Sequence, residues 1–211
     1  MRHAGIIPYP GKRKKYLIDF ANLKQGLIFN QKNFLNQKEL NIFLKKFYTG
    51  IPMLLPNKIK YFNYGPSQKN KIFKINKKIF AKRIFVTNKT KYKPLNNFFS
   101  FGDQFCFDVT LKSKYINYVH KIISFNTKLK KNITNLKKKG FTIGAFQTRN
   151  IPHLGHEKII QRLLKECDFV FVNPVIGVKK KGDAKTEILK KVYEYLIKKH
   201  YDNNVIFHPV Y

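Results

Sequence analysis

The stretch Phe141-Thr-Ile-Gly-Ala-Phe146 is followed by Gln147-Thr-Arg-Asn150 and then by Ile151-Pro-His-Leu-Gly-His-Glu-Lys-Ile-Ile160. An apolar run gives way to polar side chains, and an amphipathic segment comes after them. This order predicts a strand, a loop and a helix. In an open α/β sheet such a junction lies at the carboxyl end of a strand, where ligands bind. The helix would present free N–H groups and the positive end of its dipole to the loop.

The polar side chains of this junction are suited to holding an anion. Arg149 offers a planar fork of donors that matches a tetrahedral oxyanion. Gln147 and Asn150 each add an amide donor. The cluster contains no Ser or Cys with a base beside it, so it indicates group transfer by positioning and electrostatics.

Two histidines stand at the predicted start of the helix. His153 and His156 are three positions apart, so both can face one side, and Gly155 between them lets a ligand approach the backbone. The spacing alone leaves open a structural role for the pair or a metal site. A zinc site lacks further ligands, because no Cys or third His lies nearby in the sequence.

His153-Leu-Gly-His156 resembles the H-x-G-H signature of the nucleotidyltransferase superfamily. The longer string from Gln147 to Glu157 resembles the sulfate-binding and ATP-binding motif of the ATP sulfurylase family, the sulfate adenylyltransferases. The resemblance continues in Asn173-Pro-Val-Ile-Gly177 and in Lys181-Gly-Asp183. It implies an enzyme that converts ATP and sulfate to adenylyl sulfate and pyrophosphate.

The resemblance also implies roles for single residues. Gln147 and Arg149 would bind sulfate. The implied catalytic residues are Asn150, His153 and His156, which would hold the ATP phosphates and stabilise growing charge. The full ATP-binding set that it implies is Gln147, Thr148, Arg149, Asn150, His153, Gly155 and His156. Mg²⁺ would accompany ATP as its counterion, and no protein-bound metal is predicted.

The sequence departs from the family pattern at three positions in its C-terminal part. The family usually has His where Asn173 stands, and Arg where Leu189 and Lys191 stand. Two other functions therefore stay open. One is an H-x-G-H nucleotidyltransferase with a different acceptor, and the other is a non-catalytic remnant or an RNA-binding module.

Residues 138–211 predict a β-α-β-α-β order. The predicted strands cover 141–146, 169–172 and 205–207, and the predicted helices cover about 155–166 and 184–200. Crossover connections of this kind place the strands parallel. The C-terminal part is therefore predicted to be an incomplete Rossmann-like sheet, as the resemblance to nucleotidyltransferases also implies.

Residues 1–137 predict a β-rich α+β domain. Asn36 and Glu39 have the spacing of a capping box, and the apolar residues after them continue at helical spacing until Gly50 and Pro52. Strand character is predicted for 59–62, 71–75 and 79–86. The resemblance implies that this domain is PUA-like, and such barrels bind RNA in other proteins.

The composition is that of a globular protein, with 43% hydrophobic and 15% aromatic residues. No run of about 18 apolar residues predicts a membrane helix, and the N-terminus has no long apolar segment typical of a signal peptide. Cys106 and Cys167 are predicted to be buried thiols in a reducing compartment. These features predict a cytoplasmic protein that does not engage a membrane.

The charge is strongly positive. Lys and Arg number 43 against 11 Asp and Glu, which gives a net charge of +32. Such an excess is typical of proteins that bind nucleic acid or an anionic surface. Most of the excess is Lys, accompanied by abundant Asn, Ile and Phe, so an A/T-rich genome is a competing cause. Nucleic acid is thus the less favoured partner, and the field would also attract ATP and sulfate.

ATP sulfurylases carry a further Gly-Arg-Asp-His-Ala-Gly string that contributes to the nucleotide site. The sequence ends at Pro209-Val-Tyr211 without it. We therefore expect a truncated product, one piece of a split enzyme or a reduced relative. A homo-oligomer or a complementary chain would supply the rest of the catalytic domain.

Overall fold

The computed structural model describes residues 14–28, 31–45, 52–64, 71–89, 93–100, 102–178 and 182–211. The chain divides into two compact units, Met1–Ile123 and Ser124–Tyr211. The predicted domain bounds, 1–137 and 138–211, stay a prediction. The expected helix end at Gly50 lies outside the described residues.

The helices and strands are numbered in chain order. The helices are α1 (Lys15–Lys24), α2 (Gln37–Lys45), α3 (Lys77–Phe85), α4 (Lys93–Ser100), α5 (Ile116–Lys138), α6 (Leu154–Leu164) and α7 (Thr186–His200). The strands are β1 (Leu55–Pro56), β2 (Phe62–Asn63), β3 (Ile72–Lys74), β4 (Gln104–Cys106), β5 (Thr110–Leu111), β6 (Ile143–Thr148), β7 (Phe169–Pro174) and β8 (Val205–Phe207). A short 3₁₀ helix, Ser113–Tyr115, precedes α5. No helix in the described ranges is long and apolar enough to cross a membrane.

The second unit contains a parallel sheet in the order β6-β7-β8. This confirms the predicted β-α-β-α-β order and the parallel strands. From Val170 onward every residue of β7 is buried, as expected for the middle strand of a parallel sheet. The core joins this strand to α6, α7 and β8 through Ile160, Val170, Val172, Leu189, Tyr193, Leu196, Ile197 and Val205.

Close packing of α6 on β6 depends on Gly144. A Cβ added there would lie 3.3 Å from both the Cys167 Sγ and the Leu163 Cδ2. Glycine therefore allows the helix to approach the strand whose carboxyl end forms the predicted junction. Cys167 is half-buried and Cys106 is buried, and both are free thiols.

The first unit is α+β, with antiparallel strands of two or three residues. Its sheets have the orders β1-β4-β3 and β2-β5. The predicted capping box at the start of α2 is confirmed: the Asn36 side chain accepts from the Glu39 N–H, and the Glu39 carboxylate accepts from the Asn36 N–H, both at 2.9 Å. The prediction of a strand at 71–75 is confirmed by β3, whereas only Phe62 of the stretch 59–62 lies in a strand.

The predicted strand at 79–86 is wrong, because residues 79–85 belong to helix α3 and Val86 is its C-cap. The Asn76 side chain caps this helix by accepting from the Ile79 N–H at 3.1 Å. Phe80 and Ala81 are fully buried, whereas Ile79 is 60% exposed. The apolar residues therefore follow a helical period, and the polar turn signal at Asn76 is an N-cap.

Candidate active site

The predicted junction forms at the carboxyl end of β6. The strand ends at Thr148, which pairs in register with Pro174 at the end of β7. His153 is the N-cap of α6, so the loop between them has only four residues, 149–152. The ends of two parallel strands and the start of a helix thus meet in one place, as the sequence predicted.

His153 caps α6 with its imidazole ring. Its Nδ1 accepts a hydrogen bond from the Gly155 N–H at 3.2 Å. An accepting nitrogen carries a lone pair, so the proton of the neutral ring lies on Nε2. Since the His153 side chain belongs to an exposed residue, this Nε2–H is a donor available to an anion.

Gly155 allows this cap to form. A Cβ at this position would lie 3.0 Å from the His153 Cε1 and 3.1 Å from its Nδ1. Such contacts are shorter than carbon atoms normally tolerate, so any other residue would displace the His153 ring. The group that lies against the Gly155 backbone is the His153 imidazole, and the approach of a ligand to this glycine stays a prediction.

His156 lies beneath His153. The two rings stack with their centroids 3.8 Å apart, and Phe146 packs on the buried His156 ring at 5.1 Å. Burial lowers the pKa of His156, a positive charge on a protonated His153 ring would lower it further, and a hydrogen bond involving the Ile151 backbone opposes both. His156 is therefore neutral at neutral pH.

Both nitrogens of the His156 ring face hydroxyl groups. The Tyr193 hydroxyl is 3.2 Å from Nδ1, and the Thr148 hydroxyl is 3.5 Å from Nε2. Tyr193 lies on α7 and is fully buried. Tyr193 was not among the site residues that the sequence predicted. Its position four residues after Leu189 and three before Leu196 was the available signal, because a tyrosine on a core face needs a partner for its hydroxyl.

Arg149 is bound to the loop before α7. Its Nη2 donates to the Asp183 carboxylate at 2.7 Å and to the Val178 carbonyl at 3.0 Å, and its Nε donates to the same carboxylate at 3.3 Å. The Arg149 and Asp183 side chains are 24% and 16% exposed. The guanidinium is thereby oriented by a partly buried ion pair. The predicted motif included Asp183 but not this pairing.

A family model described as ATP-sulfurylase matches residues 124–211. These are the residues of the second compact unit.

The second unit is thus similar to the ATP-sulfurylase family.

Several proteins similar to this chain, or to part of it, are named sulfate adenylyltransferase. The one from Thermococcus onnurineus is 28% identical over 208 residues, which cover 89% of this chain and 54% of the relative. Those from Pyrococcus abyssi and Staphylothermus marinus are 50% and 49% identical over 70 residues, which cover 33% of this chain and 18% of each relative. The chain thus spans about half the length of the Thermococcus relative.

The amide side chains of the second unit divide between exposed and buried positions. Gln147 and Asn150 are exposed at the junction. Asn173 is buried, and its Nδ2 donates to the His208 carbonyl at 2.7 Å. The amide at the position where the family usually has His therefore joins β7 to the residue that follows β8.

Metal ligands are not gathered in the described part of the chain. There, no group of three or more His, Cys, Asp or Glu side chains is placed to hold a metal ion. The stacked histidines instead have ring nitrogens that face a backbone N–H and two hydroxyls. Their arrangement fits a site that binds anions through N–H donors.

Proposed function

We propose that this chain acts in the sulfate adenylyltransferase reaction. A sulfate oxygen attacks the α-phosphorus of ATP, and the bond from that phosphorus to the bridging oxygen of pyrophosphate breaks. The products are adenylyl sulfate and pyrophosphate. The observation that carries the proposal is the set of oriented donors at the β6–α6 junction, inside a unit that is similar to the ATP-sulfurylase family.

The sulfate side of this site consists of Gln147, Arg149 and Asp183. Arg149 would bind sulfate through the N–H groups of its Nη1, and Gln147 would add an amide donor. The Asp183 carboxylate orients the fork from one edge. This leaves Nη1, which donates none of the hydrogen bonds found among the described residues, for the anion. A preoriented guanidinium loses less entropy when it binds a ligand.

The phosphate side consists of Thr148, Asn150, His153, Gly155, His156 and Tyr193. The His153 Nε2–H, the Asn150 amide and the positive end of α6 would hold ATP phosphates. Charge that grows on the leaving pyrophosphate would be stabilised by the same donors. His156, being neutral and buried, supports the His153 ring from below and is available to accept a proton when phosphate charge is nearby.

Mg²⁺ would reach the site with ATP, bound to its phosphates as part of the substrate. The donors of the junction are N–H groups and hydroxyls, which suit phosphate oxygens better than a metal ion. A PUA-like character of the first unit, a homo-oligomer or a complementary chain, and a cytoplasmic location stay predictions.

The experiment is binding and turnover of the chain with its acceptors exchanged. We expect MgATP and sulfate each to bind by calorimetry, and pyrophosphate release to depend on sulfate. Pyrophosphate release that is unchanged by sulfate but appears with a phosphorylated acceptor such as pantetheine phosphate would assign a different nucleotidyltransferase. RNA binding that weakens steeply with salt, together with no ATP binding, would indicate the RNA-binding module.

A further inference from the structure

Tyr193 connects three parts of the second unit through one hydroxyl group. Its side chain is fully buried in the core between α7 and the sheet. The hydroxyl donates to the Asn150 carbonyl at 3.2 Å and lies 3.2 Å from the His156 Nδ1. One side chain thus holds both the junction loop and the second histidine of the H-x-G-H motif.

The contacts close into a cycle of hydrogen bonds that includes both the N–H and the carbonyl of Asn150. The Asn150 N–H donates to the Thr148 Oγ1 at 3.1 Å, and this oxygen lies 3.5 Å from the His156 Nε2. On its other side, the His156 ring meets Tyr193, which returns to the Asn150 carbonyl. This cycle of hydrogen bonds therefore starts and ends at Asn150.

The proton positions in this cycle follow from which of its groups can donate a hydrogen bond and which can only accept one. A carbonyl can only accept, so the single Tyr193 proton points to Asn150. The Tyr193 oxygen then offers His156 only a lone pair, and Nδ1 must carry the ring proton. Thr148 accepts from the Asn150 N–H, so its own proton is free to point toward the Nε2 lone pair. Each of the four residues thus donates one hydrogen bond in the same direction around the cycle.

We propose that Tyr193 is a positioning residue that holds His156 in its Nδ1–H tautomer and fixes the Asn150 backbone beside it. Its catalytic consequence rests on the function proposed above, because Asn150 and the stacked pair of histidines form the phosphate side. Without the hydroxyl, the His156 Nδ1–H loses its acceptor on Tyr193, and the Asn150 carbonyl loses its hydrogen bond to α7. The sulfate side keeps its own attachment through Asp183.

The test is Tyr193→Phe, which keeps the buried ring and removes only the hydroxyl. Long-range ¹H–¹⁵N NMR of the full chain with labelled histidine reads the tautomer of each imidazole. In the wild type we expect Nδ1–H at His156. In the variant we expect the ring to revert toward Nε2–H, the form that free imidazole side chains favour. Nε2–H in the wild type, or Nδ1–H persisting in the variant, would overturn the proposal, and the wild-type spectrum decides even if the variant folds poorly.

A matched control is Tyr201→Phe. The Tyr201 hydroxyl is also buried, but it has no hydrogen-bond partner among the described residues. Its removal should leave the His156 tautomer and ligand binding unchanged. A tautomer change of equal size in this control would mean that any buried hydroxyl near α7 has the effect, and would overturn the specific role of Tyr193.

A second readout is MgATP affinity. Loss of the Tyr193 hydroxyl should weaken MgATP binding about tenfold and leave sulfate affinity unchanged. Equal losses for both ligands would contradict a role confined to the phosphate side. If the tautomer behaves as expected but the wild type binds neither ligand, the proposed function fails and the tautomer assignment stands.

Discussion

The proposed sulfate side and the proposed phosphate side of the junction are held in place by different interactions. Arg149 is oriented by an ion pair with Asp183, 34 residues away in a loop. His156 is held by neutral hydroxyls and by stacking, on residues of β6, α6 and α7. The comparison shows that neighbouring residues in one motif can rely on separate supports. Changes on one side should therefore leave the other side nearly intact.

The largest effect is expected from Arg149→Lys, which keeps the charge but replaces the fork by a point charge. Loss of a charge-assisted hydrogen bond costs about 1.5–3 kcal/mol, or about ten- to a hundredfold in sulfate affinity. MgATP affinity should change little. Calorimetric titration of each ligand measures both values. Unchanged sulfate affinity would remove Arg149 from the sulfate side.

A somewhat smaller effect is expected from Gly155→Ala. The added methyl would collide with the His153 ring, so the ring must move and MgATP should bind about tenfold more weakly. Stability should change by less than about 1 kcal/mol, because alanine favours a helix. The matched control is Gly102→Ala, where a Cβ meets nothing within 4 Å. Normal MgATP affinity in Gly155→Ala would show that the His153 cap does not orient a phosphate donor.

The smallest effect concerns pH, to which the two sides should respond differently. The proposed phosphate side contains His156, whose pKa burial lowers below the ordinary value of 6.5, and burial likewise lowers the pKa of His208. As the pH falls below 6.5, the unfolded chain takes up protons before the folded chain does, so the free energy of unfolding falls. We expect a loss of less than about 1 kcal/mol between pH 7.5 and pH 6, measured by denaturant unfolding.

Asp19 in the first unit changes the free energy of unfolding with pH in the opposite direction. It must therefore be replaced before the contribution of His156 is measured. Burial raises its pKa to about 6, with Lys15 opposing the shift. Stability from Asp19 is therefore present at low pH and declines as the pH rises from its ordinary value of 3.8 toward 6. In an Asp19→Asn background the free energy of unfolding should fall clearly between pH 7.5 and pH 6. The further substitution His156→Gln should make this fall smaller. A flat profile in that background would contradict a buried neutral His156.

The junction was predictable because its signals are local. The apolar run before Gln147 and the amphipathic segment after His153 each determine one element. The capping box of Asn36 and Glu39 is likewise contained in four residues. The stretch 79–86 was misassigned because two apolar pairs on either side of a basic pair fit both a strand and a helix. The cap at Asn76 decides between them.

The supports of the site were not predictable in the same way. Asp183 is 34 residues from Arg149, and Tyr193 is 37 residues from His156. These contacts arise only when the second crossover returns α7 and its preceding loop to the carboxyl edge of the sheet. No periodicity within one element specifies which tyrosine or aspartate arrives there. The motif residues could therefore be predicted from the sequence, whereas their partners could be identified only from the structure.

The most direct measurement of the central claim is a double-mutant cycle of Arg149→Lys and Gly155→Ala, with sulfate and MgATP affinities determined separately. If the two sides are held independently, each substitution weakens its own ligand by the same factor in either background, and the free-energy changes add within about 0.5 kcal/mol. A loss of sulfate affinity in Gly155→Ala, or a coupling well above that limit, would contradict two separately supported sides.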